Sequence, residues 1–251
     1  MKKVLIFTLA ALLVLATFCA CDTAGSPVPS SSAPASSESS SSDSPSSDTS
    51  SSVSSKDDTP EIGALSDYVK TAKEATQSFS DGNTVTYRLP EILLDSSDAA
   101  AANKEIMDEY GDDCKTYDDY SPISKLDYEA TLYDKYLSVI VTTNVDGGNS
   151  YGLCYCFDVT TGSKLNNETL CSMTGHDYNT AIETLTANVT AGYDESYSKL
   201  PGNDSEREKT LASDNISASK MYLDESGKLM SLVDIYAAVG GGHWANTFAA
   251  E

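Results

Sequence analysis

The sequence has little histidine, few basic side chains and no apolar run long enough for a comfortable membrane span. Two His and one Trp occur among 251 residues, so imidazole-based metal sites and acid–base catalysis have few candidates. Lys and Arg total 16 against 38 Asp and Glu, a formal net charge of −22. Because so negative a surface repels phosphate backbones, we exclude nucleic acid as a partner and expect attraction to cations and basic proteins.

The longest apolar run lies at the N-terminus. Lys2 and Lys3 precede an apolar stretch over 4–18, shorter than the ~20 residues of a transmembrane helix and typical of a secretory signal. Its end, LATFCAC, resembles a bacterial lipoprotein signal in which Cys21 is acylated and becomes the new N-terminus. We therefore predict a lipoprotein signal peptide at 1–20 and a lipid anchor on the outer face of the cytoplasmic membrane. The alternative is an ordinary cleaved signal that leaves Cys21 as a free thiol.

A serine-rich tract separates the leader from the rest of the chain. From residue 22 to residue 60, 18 of 39 residues are Ser and five are Pro. Such a tract cannot bury enough surface to offset the entropy of ordering its backbone. We predict a disordered tether at 21–60 with a mean span of roughly 35 Å. It either lifts the domain into the wall or acts as a passive spacer with no binding role.

The residues after the tether begin with helical spacing. Apolar positions three and four apart predict a helix over 62–79, followed by a strand over 85–89 that stops at Pro90. Ser96 or Ser97 is then expected to cap a second helix. The inward-facing residues of that helix would be Ala99, Ala102, Ile106 and Tyr110.

The middle of the chain has the pattern of a β-meander. Apolar and polar residues alternate over 126–133, 137–145 and 151–159, with turn signals at 134–135 and 146–149. This pattern predicts half-buried antiparallel strands joined by short loops.

The last third returns to helices before it closes with a hairpin. We predict a helix over 176–192, a charged helical segment over 204–212, and a hairpin over 220–235 that turns at 224–227. Because helices and antiparallel strands come in blocks, the fold class is α+β, an antiparallel meander sheet with packed helices.

The order of several motifs points to a family. They are VTYRLPEILLD from Val85, Asn103 with Ile106, LSVI from Leu137, Gly147-Gly148, FDV from Phe157, Thr161-Gly162, Lys164-Leu165, YLD from Tyr222 and GKL from Gly227. This set resembles the extracellular RsiV-type domain, also found as a tandem domain of unknown function in front of the catalytic part of the deacetylase PdaC. The resemblance covers 83–240 and implies two small α+β subdomains, at 61–165 and 166–251, displayed outside the cell.

The resemblance also shapes the expected function. RsiV-type receptors carry a transmembrane helix and a cytoplasmic anti-sigma segment, and PdaC carries a metal-dependent catalytic domain, but this sequence shows the pattern of neither. We therefore expect neither transmembrane signalling nor an enzyme, and no cofactor or metal. The leading hypothesis is a surface lipoprotein that binds a wall-associated ligand, for which RsiV suggests lysozyme or a similar cationic protein. The alternatives are a peptidoglycan-binding accessory module and a wall-modifying hydrolase or deacetylase.

The candidate chemical residues are few. His176 stands at a predicted helix start, where capping or solvation is the simpler interpretation. His243 and Trp244 follow three glycines that could let the backbone approach a ligand, with Trp244 as an anchor; the alternative is a flexible end with Trp244 packed on the sheet. No GxSxG elbow or phosphate-binding glycine loop occurs in the sequence.

Paired acids form a second group of candidates. Asp112-Asp113 and Asp118-Asp119 could bind calcium, but they lack the alternation and the bidentate Glu of an EF-hand. We interpret them as a solvated acidic loop. The acids of the charged helical segment, Asp204, Glu206 and Glu208, have the same interpretation.

Four cysteines remain after the leader and Cys21. Cys114, Cys154, Cys156 and Cys171 permit three disulfide pairings, although a direct bridge between Cys154 and Cys156 would be strained because both point to one face of a strand. A C-x-C metal site lacks nearby His ligands, and the acidic chain disfavours a reactive thiolate. Buried free thiols and structural disulfides both stay open.

The anchor is directly testable. We expect the native protein to partition into detergent, and Cys21→Ser to release it or block its processing, because each buried methylene of an acyl chain adds ~0.8 kcal/mol of membrane affinity. Mass spectrometry of the native N-terminus checks this. An N-terminus at any residue other than a modified Cys21 would exclude the lipoprotein interpretation.

Overall fold

The structure of the chain is a computed structural model. It describes residues 61–80, 82–118, 120–197, 199–239 and 242–251. The predicted signal peptide, the tether and the lipidation site Cys21 all lie outside the described residues.

The first folded element is a β-hairpin. Strands β1 (Val69–Ser78) and β2 (Thr84–Ile92) pair antiparallel, so the predicted helix over 62–79 is wrong. The strand pairing of β1 with β2 overrides its helical spacing. Pro90 lies inside β2 instead of ending it, beside a register shift between Thr71 and Lys73 where a missing N–H is tolerated.

The helix after this hairpin agrees with its prediction. Helix α1 spans Ser97–Tyr110, and the Ser96 hydroxyl accepts a 3.1 Å hydrogen bond from the amide of Ala99. The four predicted inward-facing residues are all buried. They pack against one face of the sheet that follows.

That central sheet contains the predicted meander. Its strands are β3 (Ile123–Tyr133), β4 (Tyr136–Val145), β5 (Ser150–Asp158) and the short β6 (Ser163–Lys164), hydrogen-bonded in that order. Asp134 occupies the first turn with φ 51°, a left-handed conformation that Asp tolerates better than most residues.

Four helices come next. They are α2 (Asn167–Thr174), α3 (Tyr178–Tyr197), α4 (Asp204–Thr210) and α5 (Ser213–Ala218). The predicted helices at 176–192 and 204–212 correspond to α3 and α4. The short helices α2 and α5 were not predicted.

A second sheet closes the chain. The predicted hairpin is β7 (Lys220–Leu223) with β8 (Leu229–Tyr236), and β9 (His243–Ala249) pairs with the other edge of β8. Strand β9 was not predicted. The C-terminal sheet therefore has the order β7-β8-β9.

The two sheets lie face to face, with helices outside them. One face of the central sheet packs on α1 and the hairpin in a first hydrophobic core, and α2 and α3 cover the far face of the C-terminal sheet in a second core. A thin apolar layer of Ile140, Cys154, Tyr222 and Leu232 lies between the sheets. The fold is α+β, but β4 and the second half of β5 are buried on both faces, so predicting half-buried strands was wrong there.

The turn of the β7–β8 hairpin gives a test of the contact between the two sheets. Gly227 has φ +85°, and a Cβ there would lie 2.3 Å from Cζ of Tyr133 at the end of β3. We expect Gly227→Ala to lower the free energy of unfolding by about 2 kcal/mol, because it strains the backbone and displaces the Tyr133 ring. Gly202→Ala is the matched control, with φ +77° and nothing within 4 Å, and should cost about 1 kcal/mol. Urea unfolding measures the free energy of each variant. If the two variants lose the same free energy of unfolding, the Tyr133 contact contributes nothing.

Candidate functional site

Strand β9 brings the two residues singled out near the C-terminus into ordered positions. His243 and Trp244 are its first two residues and are partly buried. Successive side chains of a strand point to opposite faces, so the two residues take part in different clusters. A flexible C-terminal end is therefore wrong for 243–249, whereas packing of Trp244 against the fold is confirmed.

His243 lies between two tyrosine rings. Its ring stacks on Tyr151 with centroids 4.7 Å apart and contacts Tyr236 at 5.1 Å. Nε2 of His243 is 3.2 Å from a carboxylate oxygen of Asp234, and its backbone N–H donates to the side chain of Asn149 at 3.1 Å. The imidazole is thus oriented by one carboxylate and two rings.

A cation already occupies the face of Tyr236. Nζ of Lys209 lies 3.6 Å from the ring centroid, a close cation–π contact. Burial raises the pKa of Tyr236, and the nearby charges of Asp234 and Glu206 raise it further. We call the surface formed by Tyr151, His243, Tyr236, Asp234 and Glu206 the acidic–aromatic face.

Trp244 joins an aromatic cluster on α3. Its ring stacks on Tyr197 with centroids 5.8 Å apart and an interplanar angle of 18°. Tyr197 in turn contacts Tyr193 at 5.1 Å. Phe248, further along β9, packs against the same core.

Open cavities border β9. One of about 290 Å³ lies between α3 and β9, and two of about 370 and 210 Å³ lie between β9 and the central sheet. Asn246 lines all three, and Thr247 lines two of them.

A larger cavity of about 670 Å³ lies where the two cores meet. The Tyr155 hydroxyl donates a 3.0 Å hydrogen bond to Glu105, and Nζ of Lys164 lies 5.7 Å from the Tyr155 ring centroid. Lys220 and Met221 line the cavity from β7. These contacts join α1, β5 and β6 at its wall.

His176 belongs to a separate pair. It lies between α2 and α3, and its Nε2 is 3.1 Å from a carboxylate oxygen of Glu251. Each of the two His therefore has a single carboxylate partner, at two distinct places in the fold. In each pair, the carboxylate orients the imidazole ring.

The four cysteines are free and buried. Cys154 and Cys156 lie on the face of β5 that meets the C-terminal sheet, as their spacing predicted, and Sγ of Cys171 is 3.6 Å from Sδ of Met221. Burial raises the pKa of all four thiols, that of Cys156 to about 12. Of the two options left open by the sequence, the structure contains buried thiols.

The acidic pairs are surface features. Asp112 and Asp118 are exposed and Asp113 is half-buried, whereas Asp119 lies outside the described residues. Within the described ranges, no group of three or more His, Cys, Asp or Glu side chains is arranged to hold a metal ion. The helices of those ranges also include none with the length and apolar character needed to span a bilayer.

No family model matches the sequence, and no curated protein is significantly similar to it.

Burial of the four thiols predicts that they react slowly with thiol reagents. The sample is the natively folded chain of residues 22–251. At pH 8 we expect Ellman's reagent to modify, on average, fewer than one thiol per molecule quickly. After denaturation, it should modify all four. Because burial raises the pKa of these thiols in the folded protein, the thiolate fraction of an accessible native thiol should continue to rise above pH 9, where that of an ordinary thiol of pKa ~8.5 levels off. Fewer than four reactive thiols in denaturant would instead indicate a disulfide.

Proposed function

We propose that this chain is a non-enzymatic binding module of a bacterial surface lipoprotein, and that its ligand is a cationic wall-associated protein of the lysozyme type. The leader, the tether and the resemblance to the RsiV-type domain support display at the cell surface. The acidic–aromatic face is the surface we assign to the ligand.

The observation that carries the proposal is the contact of the Lys209 ammonium with the ring face of Tyr236. A lysine ammonium on a tyrosine face, with Asp234 and Glu206 nearby, is the environment that an incoming Lys or Arg side chain would need. Tyr and Arg are also enriched among the residues that dominate protein interfaces. The contact between Lys209 and Tyr236 is thus of the same kind as the contact that we expect a basic side chain of the partner to make with this face.

The charge of the folded part favours the same kind of partner. Residues 61–251 contain 32 acidic and 13 basic side chains. Five Lys or Arg side chains of the described residues form ion pairs with carboxylates. Most acids are left without a compensating cation, and such a field speeds the encounter with a cationic protein.

A binding role also accounts for the histidines better than hydrolysis does. The His243–Asp234 pair is flanked by rings, and the second His pairs with Glu251 elsewhere. General acid–base catalysis needs several such groups converging on one reacting atom. The His243 ring, stacked on Tyr151 and tilted against Tyr236, instead holds the two tyrosines of this face in fixed positions.

The test removes charge from this face without changing side-chain size. We expect the double variant Asp234→Asn with Glu206→Gln to weaken lysozyme binding roughly fivefold or more, because two attractive pairs are lost. The control, Asp112→Asn with Glu109→Gln, removes the same charge from exposed positions outside this face and should have a smaller effect. Calorimetry on the full-length chain in detergent measures both.

Two further comparisons separate a specific partner from generic attraction. Affinity should fall between low and high salt, since exposed charges are screened beyond ~8–10 Å. An unrelated basic protein of similar size and charge should bind more weakly than lysozyme. Equal affinity for the two proteins, or equal losses in the two double variants, would contradict a specific acidic–aromatic face.

A further inference from the structure

The outer edge of strand β5 lacks a neighbouring strand along most of its length. Strand β6 lies beside β5 in the central sheet, but it pairs only with Phe157 and Asp158. The chain then passes Leu165, whose N–H donates a 2.8 Å hydrogen bond to the carbonyl of Cys156, and enters α2. Within the described part of the chain, no strand therefore pairs with this edge over residues 150–155.

The register of β5 decides which of its backbone groups face that edge. In an antiparallel pair, the N–H and C=O of one residue point to the same side, and this side alternates along the strand. The carbonyl of Asn149 accepts from Val145 on the side of β4, whereas the carbonyl of Cys156 accepts on the opposite side. Because β4 and β5 pair without a register shift, the N–H and C=O groups of Gly152 and Cys154 also face away from β4.

The cavity of about 670 Å³ lies along this edge. All five consecutive residues from Gly152 to Cys156 line it. Because successive side chains of a strand point to opposite faces, a cavity on one face would contact mainly every second residue. Its opposite wall comes from the start of α2, Tyr178 of α3, Ser217 of α5, and Met221 of β7. Its volume is usual for a ligand site, and we call it the β5 cleft.

The charges of the β5 cleft differ from those of the molecule as a whole. Two acidic and two basic side chains line it, Glu105, Glu168, Lys164 and Lys220. The Glu105 carboxylate accepts a hydrogen bond from Tyr155, and Glu168 lies in the first turn of α2, where the helix dipole favours a negative charge. Neither lysine forms an ion pair with a carboxylate of the described residues. The cleft of this acidic molecule therefore has two ammonium groups without an anionic partner.

The two lysines lie on opposite walls of the β5 cleft. Nζ of Lys164 is 5.7 Å from the ring centroid of Tyr155, which belongs to the first core, on the α1 side of the central sheet. Lys220 begins β7, in the sheet that packs against Cys154 on the other side. The side chains of an added strand would alternate between the same two walls. Two neighbouring acidic residues of that strand would therefore each meet one ammonium group.

From this arrangement we propose that the β5 cleft binds an extended acidic peptide, which adds a strand to the free edge of the central sheet. The peptide backbone hydrogen-bonds to Gly152 and Cys154, and two neighbouring carboxylates pair with Lys164 and Lys220. In strand addition, main-chain hydrogen bonds provide affinity and alternate side chains provide specificity. The inference goes beyond the cationic-protein proposal, because it concerns another surface and a ligand of opposite charge, and each can hold or fail without the other.

The probe for this site is the peptide acetyl-Thr-Val-Glu-Glu-Val-Thr-amide, titrated by calorimetry into the full-length chain in detergent. Physiological salt screens the repulsion between the peptide and the distant acids of the molecule. The same peptide with Gln in place of each Glu should bind about fivefold more weakly, because two ion pairs are lost. The double variant Lys164→Gln with Lys220→Gln should weaken binding of the Glu peptide by a similar factor. It should hardly affect the Gln peptide, since both changes remove the same pairs.

The matched control is the double variant Lys115→Gln with Lys228→Gln. Both lysines are exposed and lie outside the cleft. Nζ of Lys115 lies 5.3 Å from the ring centroid of Tyr117, a contact similar to that of Lys164. The control changes the net charge by the same amount, and because it removes no pair with the peptide, the affinity should stay within about twofold. Near-ultraviolet circular dichroism verifies native packing of both double variants.

Amide hydrogen exchange, followed by nuclear magnetic resonance, tests the strand pairing itself. With saturating peptide, exchange of the N–H groups of Gly152 and Cys154 should slow at least about tenfold, because carbonyls of the peptide accept from them. The N–H groups of Leu153 and Tyr155 point to β4. Their exchange should be the same with and without peptide, which makes them an internal control.

Four results would overturn the inference. They are no binding of the Glu peptide by a natively packed protein, equal affinity for the Glu and Gln peptides, equal losses in the two lysine double variants, and binding that leaves the exchange of Gly152 and Cys154 unchanged. Slower exchange of these two amides on concentrating the protein without peptide would also contradict it, since a second copy of the chain would then occupy the edge. If lysozyme binds while the peptide does not, the strand-addition inference fails and the proposed function stands.

Discussion

The packing of the two sheets depends on hydrogen bonds that the backbone groups at the two edges of the C-terminal sheet, in β7 and β9, make with side chains of the central sheet. At the β7 edge, the backbone N–H of Leu223 donates to Ser138, and its carbonyl accepts from Thr131, at 3.1 and 2.8 Å. At the β9 edge, the amides of His243 and Ala245 donate to Asn149 and to Ser150, each at 3.1 Å. All four of these side chains come from the central sheet or its turn. Because unpaired backbone groups are costly and edge strands attract other chains, these bonds fix one sheet against the other.

The same contacts account for where the candidate surfaces lie. Apolar packing between the sheets is confined to a small cluster that includes Ile140 and Leu232, and toward β9 the facing surface becomes polar and opens into cavities lined by Lys125 and Asn246. Gly152 permits this approach, since a Cβ there would lie 2.9 Å from Leu232. The contact of Tyr151 with His243 in the acidic–aromatic face is thus a feature of the border between the two sheets, where the packed layer ends.

The importance of contacts between distant parts of the chain explains which elements the sequence could predict and which it could not. The meander and α1 were predictable because apolar residues alternate there with the period of their element, and Ser96 is a local cap. Strand β1 was not predictable, because its apolar residues also fit one face of a helix. Only its pairing with β2 decides between a helix and a strand. Strand β9 has the aromatic and β-branched residues of a strand, but the glycines before it suggested a flexible end. His243 and Trp244 could be singled out from the sequence. The neighbours of His243 could not, because sheet packing brings Tyr151 to it and strand pairing brings Tyr236, on which helix packing places Lys209.

The net charge of the folded part and the contacts of the acidic–aromatic face act on a cationic partner at different distances. A cationic protein is drawn by the whole negative field, so the acidic–aromatic face needs only a few oriented groups, such as Tyr236 beside Asp234, to select among basic partners. The field by itself attracts any cationic protein, and salt screens it beyond ~8–10 Å. Selection among cationic proteins therefore depends on short-range contacts, of which the cation–π contact between Lys209 and Tyr236 is the example within the molecule.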